Sequence, residues 1–195
     1  MITDKLDKYR VILASRSPRR QQLLRELGIK FDVIVRDYSE SYPENLSGEE
    51  IAVYLAVEKA NCFRNEVSEN DIVITADTIV WCKNKVLGKP ENAEEARQMI
   101  RDLSNDTHEV ITAVTILSGK KETTFSVSTR VTFDNLSDDE INYYIDRFKP
   151  YDKAGAYGIQ EWIGLAGCSR IEGSYFNVVG LPVQRLYKEL KEFVK

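Results

Sequence analysis

A chain of 195 residues that is 43% hydrophobic and 30% charged can bury a sizeable core in one domain, with room for two lobes, and no segment reads as a tail or linker. Lysine and arginine (27) against aspartate and glutamate (31) leave a formal net charge of −4, which excludes general attraction to nucleic acid and requires any polyanionic ligand to be held by a local cluster of cations. Three separated cysteines, Cys62, Cys82 and Cys168, in no metal-ligand spacing suit free thiols in a reducing compartment, and one histidine excludes a multi-histidine metal site.

The opening "MITDKLDKYR" is charged, and no apolar run approaches the length of a bilayer span, so a cytoplasmic chain is expected. Tyr9 to Ala14 is short, apolar and β-branched, the pattern of a buried strand. A helix should follow, with Ser17 as cap, Pro18 in its first turn, Leu23, Leu24 and Leu27 on its apolar face and Gly28 just past its end. A second strand is expected over Phe31 to Val35, then the polar loop "RDYSESYPENLS", then a long helix from Gly48 to Val67 with Ser47 and Glu50 as a capping box. "DIVITADTIVW" is an almost unbroken apolar run that should form a central strand ending near Asp77. After "LGKPEN" comes a helix over Ala93 to Leu103. Thr107 to Leu117 and Glu122 to Phe133 flank the turn "SGKK" as two antiparallel strands. Ser137 should cap a helix over Asp138 to Phe148 that Pro150 ends. The glycine-bearing "KAGAYGIQ", the apolar "RIEGSYFNVVG" and a helix from Pro182 complete the chain. Alternating helices and strands followed by a hairpin predict an α/β fold with a mixed sheet.

Candidate chemistry lies at a few points. The stretch "LASRSPRRQQLL" places hydroxyls and arginines at the joint between strand and helix, where free N–H groups and the helix dipole favour an anion such as phosphate; an ordinary cap beside solvated arginines gives the same pattern. Asp77 in a hydrophobic strand needs a cationic partner or a shifted pKa, or else caps a turn with Thr78. Lys59 and Lys89 are candidate cations, although most such lysines are solvated. In "KAGAYGIQ" the glycines allow close approach to a flat ligand, and the amide of Gln160 can donate to and accept from a base edge. His108 reads as structural: it stands in Thr-His-Glu-Val, and the chain has no Gly-x-Ser-x-Gly elbow. Phosphate-loop and dinucleotide glycine motifs are also missing.

Taken in order, Ser15-x-Ser17-Pro18-Arg19-Arg20, Glu58-Lys59-Ala60, Ala76-Asp77-Thr78, Leu87-Gly88-Lys89-Pro90, Lys153 to Gln160, and Glu172-Gly173-Ser174-Tyr175-x-Asn177 to Pro182 closely resemble the Maf family of septum formation or Maf-like proteins, over about residues 9 to 190. The resemblance implies an ITPase-like (Maf/Ham1) α/β fold, a mixed twisted β-sheet with flanking helices in two lobes around a deep substrate cleft. It implies a nucleoside triphosphate pyrophosphatase that needs a divalent cation, Mg²⁺ or Mn²⁺. Asp77 would be the catalytic base or a metal ligand, with Glu40 also at the metal. Ser15, Arg19, Lys59 and Lys89 would surround the triphosphate. Specificity positions fall on Arg19, Thr78 and Gln160, a combination similar to the branch acting on dTTP and UTP rather than the one associated with 7-methyl-GTP. Glu161 departs from that branch, which often has glycine after the glutamine. The expected partner is a nucleoside triphosphate, not a nucleic-acid polymer or a membrane, and the resemblance allows a homodimer. A nucleotide-binding regulator of cell division, and an inosine or xanthosine triphosphate house-cleaning enzyme, are the competing readings.

Overall fold

The computed structural model describes residues 2–119 and 121–195. In chain order the elements are α1 (Ile2–Leu6), β1 (Arg10–Leu13), α2 (Pro18–Glu26), β2 (Asp32–Val33), α3 (Glu49–Asn61), β3 (Asp71–Cys82), β4 (Lys85–Leu87), α4 (Ala93–Leu103), β5 (Thr107–Leu117), β6 (Glu122–Phe133), α5 (Asp138–Phe148), a 3₁₀ turn at Ala154–Ala156, α6 (Trp162–Ala166), β7 (Cys168–Glu172), α7 (Tyr175–Val179) and α8 (Val183–Phe193). Among the described residues, seven strands form one mixed sheet in the order β2-β1-β3-β5-β6-β7, with β4 also on β3. β1 pairs in parallel with β2 and β3, whereas β3–β4 and β6–β7 are antiparallel.

The chain divides into two compact units: one made of Met1–Asp77, Thr112–Val127 and Gly180–Lys195, the other of Thr78–Ile111 and Ser128–Val179. In the first, Ile12, Ala14, Ala60, Phe63, Val73 and Leu117 form an apolar cluster. In the second, α4 and α5 bury Ile100, Leu103, Ile141 and Ile145 with Phe133 and Tyr157. Each fully buried side chain of this size stabilises the fold by roughly 1.5–3 kcal/mol through removal of apolar surface from water. His108 belongs to the second core: its Nε2 lies 2.7 Å from the Tyr157 hydroxyl, and its ring meets Phe133 edge-on.

Several elements match their expected bounds because local signals agree with packing. Ser17 caps α2 through the Arg20 N–H, and Pro18 occupies its first turn. Ser137 and Glu140 form the full capping box of α5. The hydroxyls of Thr115 and Thr124 meet, as do those of Thr107 and Thr132, pairs that an antiparallel hairpin brings together. The turn expected at "SGKK" includes Lys120, which lies outside the described residues; Ser118 and Lys121 on either side exchange backbone bonds.

Four expectations need correction. β3 does not end at Asp77 but continues to Cys82, because its second half pairs with β4. The connecting Lys83-Asn84 has positive φ at both residues, the geometry of a two-residue hairpin turn that normally shows itself by glycine. α3 starts at Glu49 behind Gly48 and ends at Asn61, short of Val67. Ser47 donates to Glu50 from both N–H and hydroxyl, so its oxygen does not cap the helix as a capping box requires. β2 is confined to two residues, and "RIEGSYFNVVG" splits into β7 and α7 at Gly173, whose φ of +130° suits glycine.

Candidate active site

In the first unit, the geometry is set by α3 lying close on β3. Ala52, Ala56 and Ala60 are completely buried, so the helix backbone approaches the sheet, and the Thr75 hydroxyl donates to the Ala56 carbonyl at 2.7 Å. Lys59, one turn from Ala56, is thereby aimed at the strand. Its Nζ donates to Asp77 Oδ1 at 2.5 Å and to the Ala76 carbonyl at 3.1 Å. Both side chains are little exposed, 13% for Lys59 and 14% for Asp77, so the pair interacts in a weakly screened setting. Burial pushes the Lys59 ammonium below its usual pKa, against the opposing pull of Asp77.

The joint between β1 and α2 faces the same strand. Ser15 is buried, and its hydroxyl accepts from the Ser17 N–H at 3.2 Å. Arg20 sends Nη1 to the Ala76 carbonyl and Nε to the Gly180 carbonyl, both at 2.8 Å, and its Nη1 also lies 3.5 Å from Ser15 Oγ. Burial lowers the Arg20 pKa, with Asp77 the largest opposing influence. Arg19 stands half-buried beside it in the first turn of α2, where unpaired N–H groups face outward.

Glu40 enters through Tyr38, whose phenol donates to Glu40 Oε1 at 2.9 Å while its ring packs 4.8 Å from Lys59 Nζ. Burial, then Asp77, then Glu40 push the Tyr38 phenol well above its usual pKa, so it stays protonated as a donor. Thus Ser15, Glu40, Lys59 and Asp77 gather in one cluster, with Arg19 at its side. The sequence reading did not assign Arg20 or Tyr38 a role. Arg20 had a readable signal: it lies three and four residues before the buried Leu23 and Leu24, on the core-facing side of α2 rather than a solvated face. Tyr38 sits in an irregular loop and had none.

The second unit holds Thr78, Lys89 and Gln160. Thr78 is half-buried in β3; Lys89 and Gln160 are exposed. The loops carrying the last two meet where the Gly155 N–H donates to the Gly88 carbonyl at 3.0 Å. Gly155 has φ +67°, and a Cβ there would stand 2.9 Å from Val80, so glycine permits this close docking on β3.

The fold and these groups define an α/β protein with a carboxylate gripped by a buried ammonium, beside a guanidinium and a helix N-terminus, an arrangement suited to an anionic ligand. A family model described as Maf-like protein matches residues 10–193. The chain belongs to the Maf-like family. It is 52% identical over 194 residues to a dTTP/UTP pyrophosphatase of Flavobacterium johnsoniae, covering 100% of both chains. It is 55% identical over 190 residues to a dTTP/UTP pyrophosphatase of Phocaeicola vulgatus, covering 97% of this chain and 98% of that one. Among solved structures it is similar to the Staphylococcus aureus Ham1 protein at 12% identity and a TM-score of 0.44, covering 64% of this chain and 71% of that one.

Proposed function

We propose that this chain is a nucleoside triphosphate pyrophosphatase that hydrolyses dTTP and UTP, or modified pyrimidine nucleotides, to the monophosphate and pyrophosphate, clearing them from nucleotide pools. The observation that carries the reading is the buried Lys59–Asp77 pair beside Arg20 and the start of α2. The activity named for relatives about half identical along their full length supports the substrate class.

The reaction assigns each group a task. The oxygen of a water bonds to the α-phosphorus. The bond from that phosphorus to the oxygen bridging to the β-phosphate breaks, pyrophosphate leaves with the electron pair, and Asp77 takes the proton from the water. Lys59 fixes the orientation of the Asp77 carboxylate through Oδ1. Ser15, Arg19, Lys59 and Lys89 hold the triphosphate, Arg20 adds positive charge beside it, and Thr78 and Gln160 read the base.

Asp77 and Glu40 are hard oxygen donors of the kind Mg²⁺ or Mn²⁺ takes. Asp77 and Glu40 would hold such a cation as a pair of carboxylates, since among the described residues no group of three or more His, Cys, Asp or Glu side chains could hold an ion. When bound, such an ion neutralises charge on the phosphate oxygens. The net charge of −4 fits free nucleotides rather than nucleic acid, and no helix among the described residues is long and apolar enough to cross a membrane. We place the activity in the cytoplasm.

The test is pyrophosphate release from dTTP, UTP, CTP, GTP, ITP and 7-methyl-GTP, with Mg²⁺, with Mn²⁺ and with chelator. Metal-dependent release led by dTTP and UTP is expected. Nucleotide binding without release from any of them would overturn the enzymatic reading in favour of a nucleotide-sensing regulator.

A further inference from the structure

The loop bearing Gln160 is held from beneath by charge and hydroxyl groups with no assigned task. Lys153 is buried, its side chain 8% exposed, yet it carries an ammonium that pairs with Glu161 Oε1 at 3.1 Å and Asp152 Oδ1 at 2.8 Å. Glu161, itself only 19% exposed in its side chain, accepts from the hydroxyl of the completely buried Tyr144 through its other oxygen. That same hydroxyl accepts from the Gly158 N–H at 3.0 Å, and the Glu161 N–H donates to the Gly158 carbonyl at 2.9 Å. Lys153, Gly158 and Glu161 are therefore tied to one another and, through Tyr144, to α5. Burial and then the bond to Glu161 push the Tyr144 phenol well above its usual pKa, which keeps it a donor.

Gln160 is the exposed residue caught between these anchors. Its Nε2 folds over Gly158 so closely that a Cβ on Gly158 would stand 2.9 Å from it and 2.9 Å from Glu161 Cδ. The Glu161 carboxylate is bound at both oxygens, so the Gln160 amide is the group that would have to move. The amide borders an open hollow of about 380 Å³ lined also by Ile159, Leu165, Arg170, Ile171 and Tyr175, a mixed apolar and polar surface.

We propose that Lys153, Glu161 and Tyr144 form a positioning network that fixes the direction of the Gln160 amide, making Glu161 a specificity-determining residue for the pyrimidine base. This rests on the reading of Gln160 as a base-reading group. An amide free to rotate presents donor and acceptor interchangeably; a fixed one accepts a uracil edge and rejects a cytosine edge, where those roles are exchanged. A buried, fully bonded network of this kind supplies the rigidity that a lone surface glutamine lacks.

The experiment compares kcat/KM for UTP and CTP in the full chain and in Gly158→Ala, Glu161→Ala, Glu161→Gln and Tyr144→Phe. The UTP to CTP ratio should fall about tenfold in Gly158→Ala and Glu161→Ala, the scale of one misdirected base contact. Glu161→Gln, which still accepts from Tyr144, should retain more of the ratio than Glu161→Ala. Glu161→Ala leaves Lys153 short of a partner; should it not fold, Tyr144→Phe carries the test, since it keeps the ion pair and nearly all the volume. A network that only stabilises the loop lowers activity on both nucleotides together. Folded variants that keep the parent ratio within twofold overturn this inference alone, whereas a parent chain that hydrolyses neither nucleotide overturns the reading of the site and this inference with it.

Discussion

Asp77 and Lys59 show how a single cost in the sequence can point to a site. A carboxylate inside an apolar strand demands a counter-charge, and the structure supplies Lys59 at 2.5 Å. What the sequence did not show was the partner, because nothing in "VEKAN" distinguishes a buried lysine from a solvated one. Arg20 is hard to tell from Arg19 for a related reason: adjacent arginines differ only in which side of α2 they occupy, and the buried leucines that settle this come later in the helix. Replacing Asp77 by Asn keeps the shape and removes the proposed proton acceptor. Turnover should fall by about 10²–10⁴-fold while nucleotide affinity is largely kept, as checked by pyrophosphate release alongside equilibrium binding. Lys59→Met should act differently, leaving a mostly buried carboxylate without its ammonium. The expected cost is about 3 kcal/mol of stability, read from urea unfolding, in addition to lost turnover.

At the level of elements, long periodic segments were legible and irregular ones were not. α4, α5, β5 and β6 carry their own caps, periodicity and length, so local preference and packing agree. β4 was invisible because a three-residue strand closed by Lys83-Asn84 offers neither alternation nor glycine. α3 is shorter than its apolar pattern suggests because apolar residues continue beyond Asn61 into turns that pack Phe63 in the core. The site depends on one such local device, the Ser17 cap that orients the first turn of α2. Ser17→Ala should cost about 1 kcal/mol in urea unfolding. If that turn holds the triphosphate as proposed, the same variant should raise KM, whereas Ser137→Ala at the cap of α5 should cost similar stability without that rise.

For the molecule as a whole, one buried histidine couples stability to pH. Burial lowers the His108 pKa to about 4, its Nε2 faces Tyr157 and its Nδ1 has no hydrogen-bond partner among the described residues. The unfolded side chain titrates near 6.5, so between about 6.5 and 4 the unfolded state holds the extra proton. Stability from this group is complete above pH 6.5 and is lost as pH falls towards 4, by about 3 kcal/mol. Urea midpoints measured across that window should flatten in His108→Gln. The division into units has a different consequence, in the order of synthesis. The first unit contains both the opening of the chain and Gly180–Lys195, with the whole second unit inserted between. Arg20, made early, finds a carbonyl acceptor at Gly180, made late, and the buried Leu186, Leu190 and Phe193 of α8 belong to the same unit and come later still. The half of the molecule that holds Lys59 and Asp77 therefore has all its segments only once Gly180–Lys195 has been made, whereas every segment of the inserted unit is made before that point.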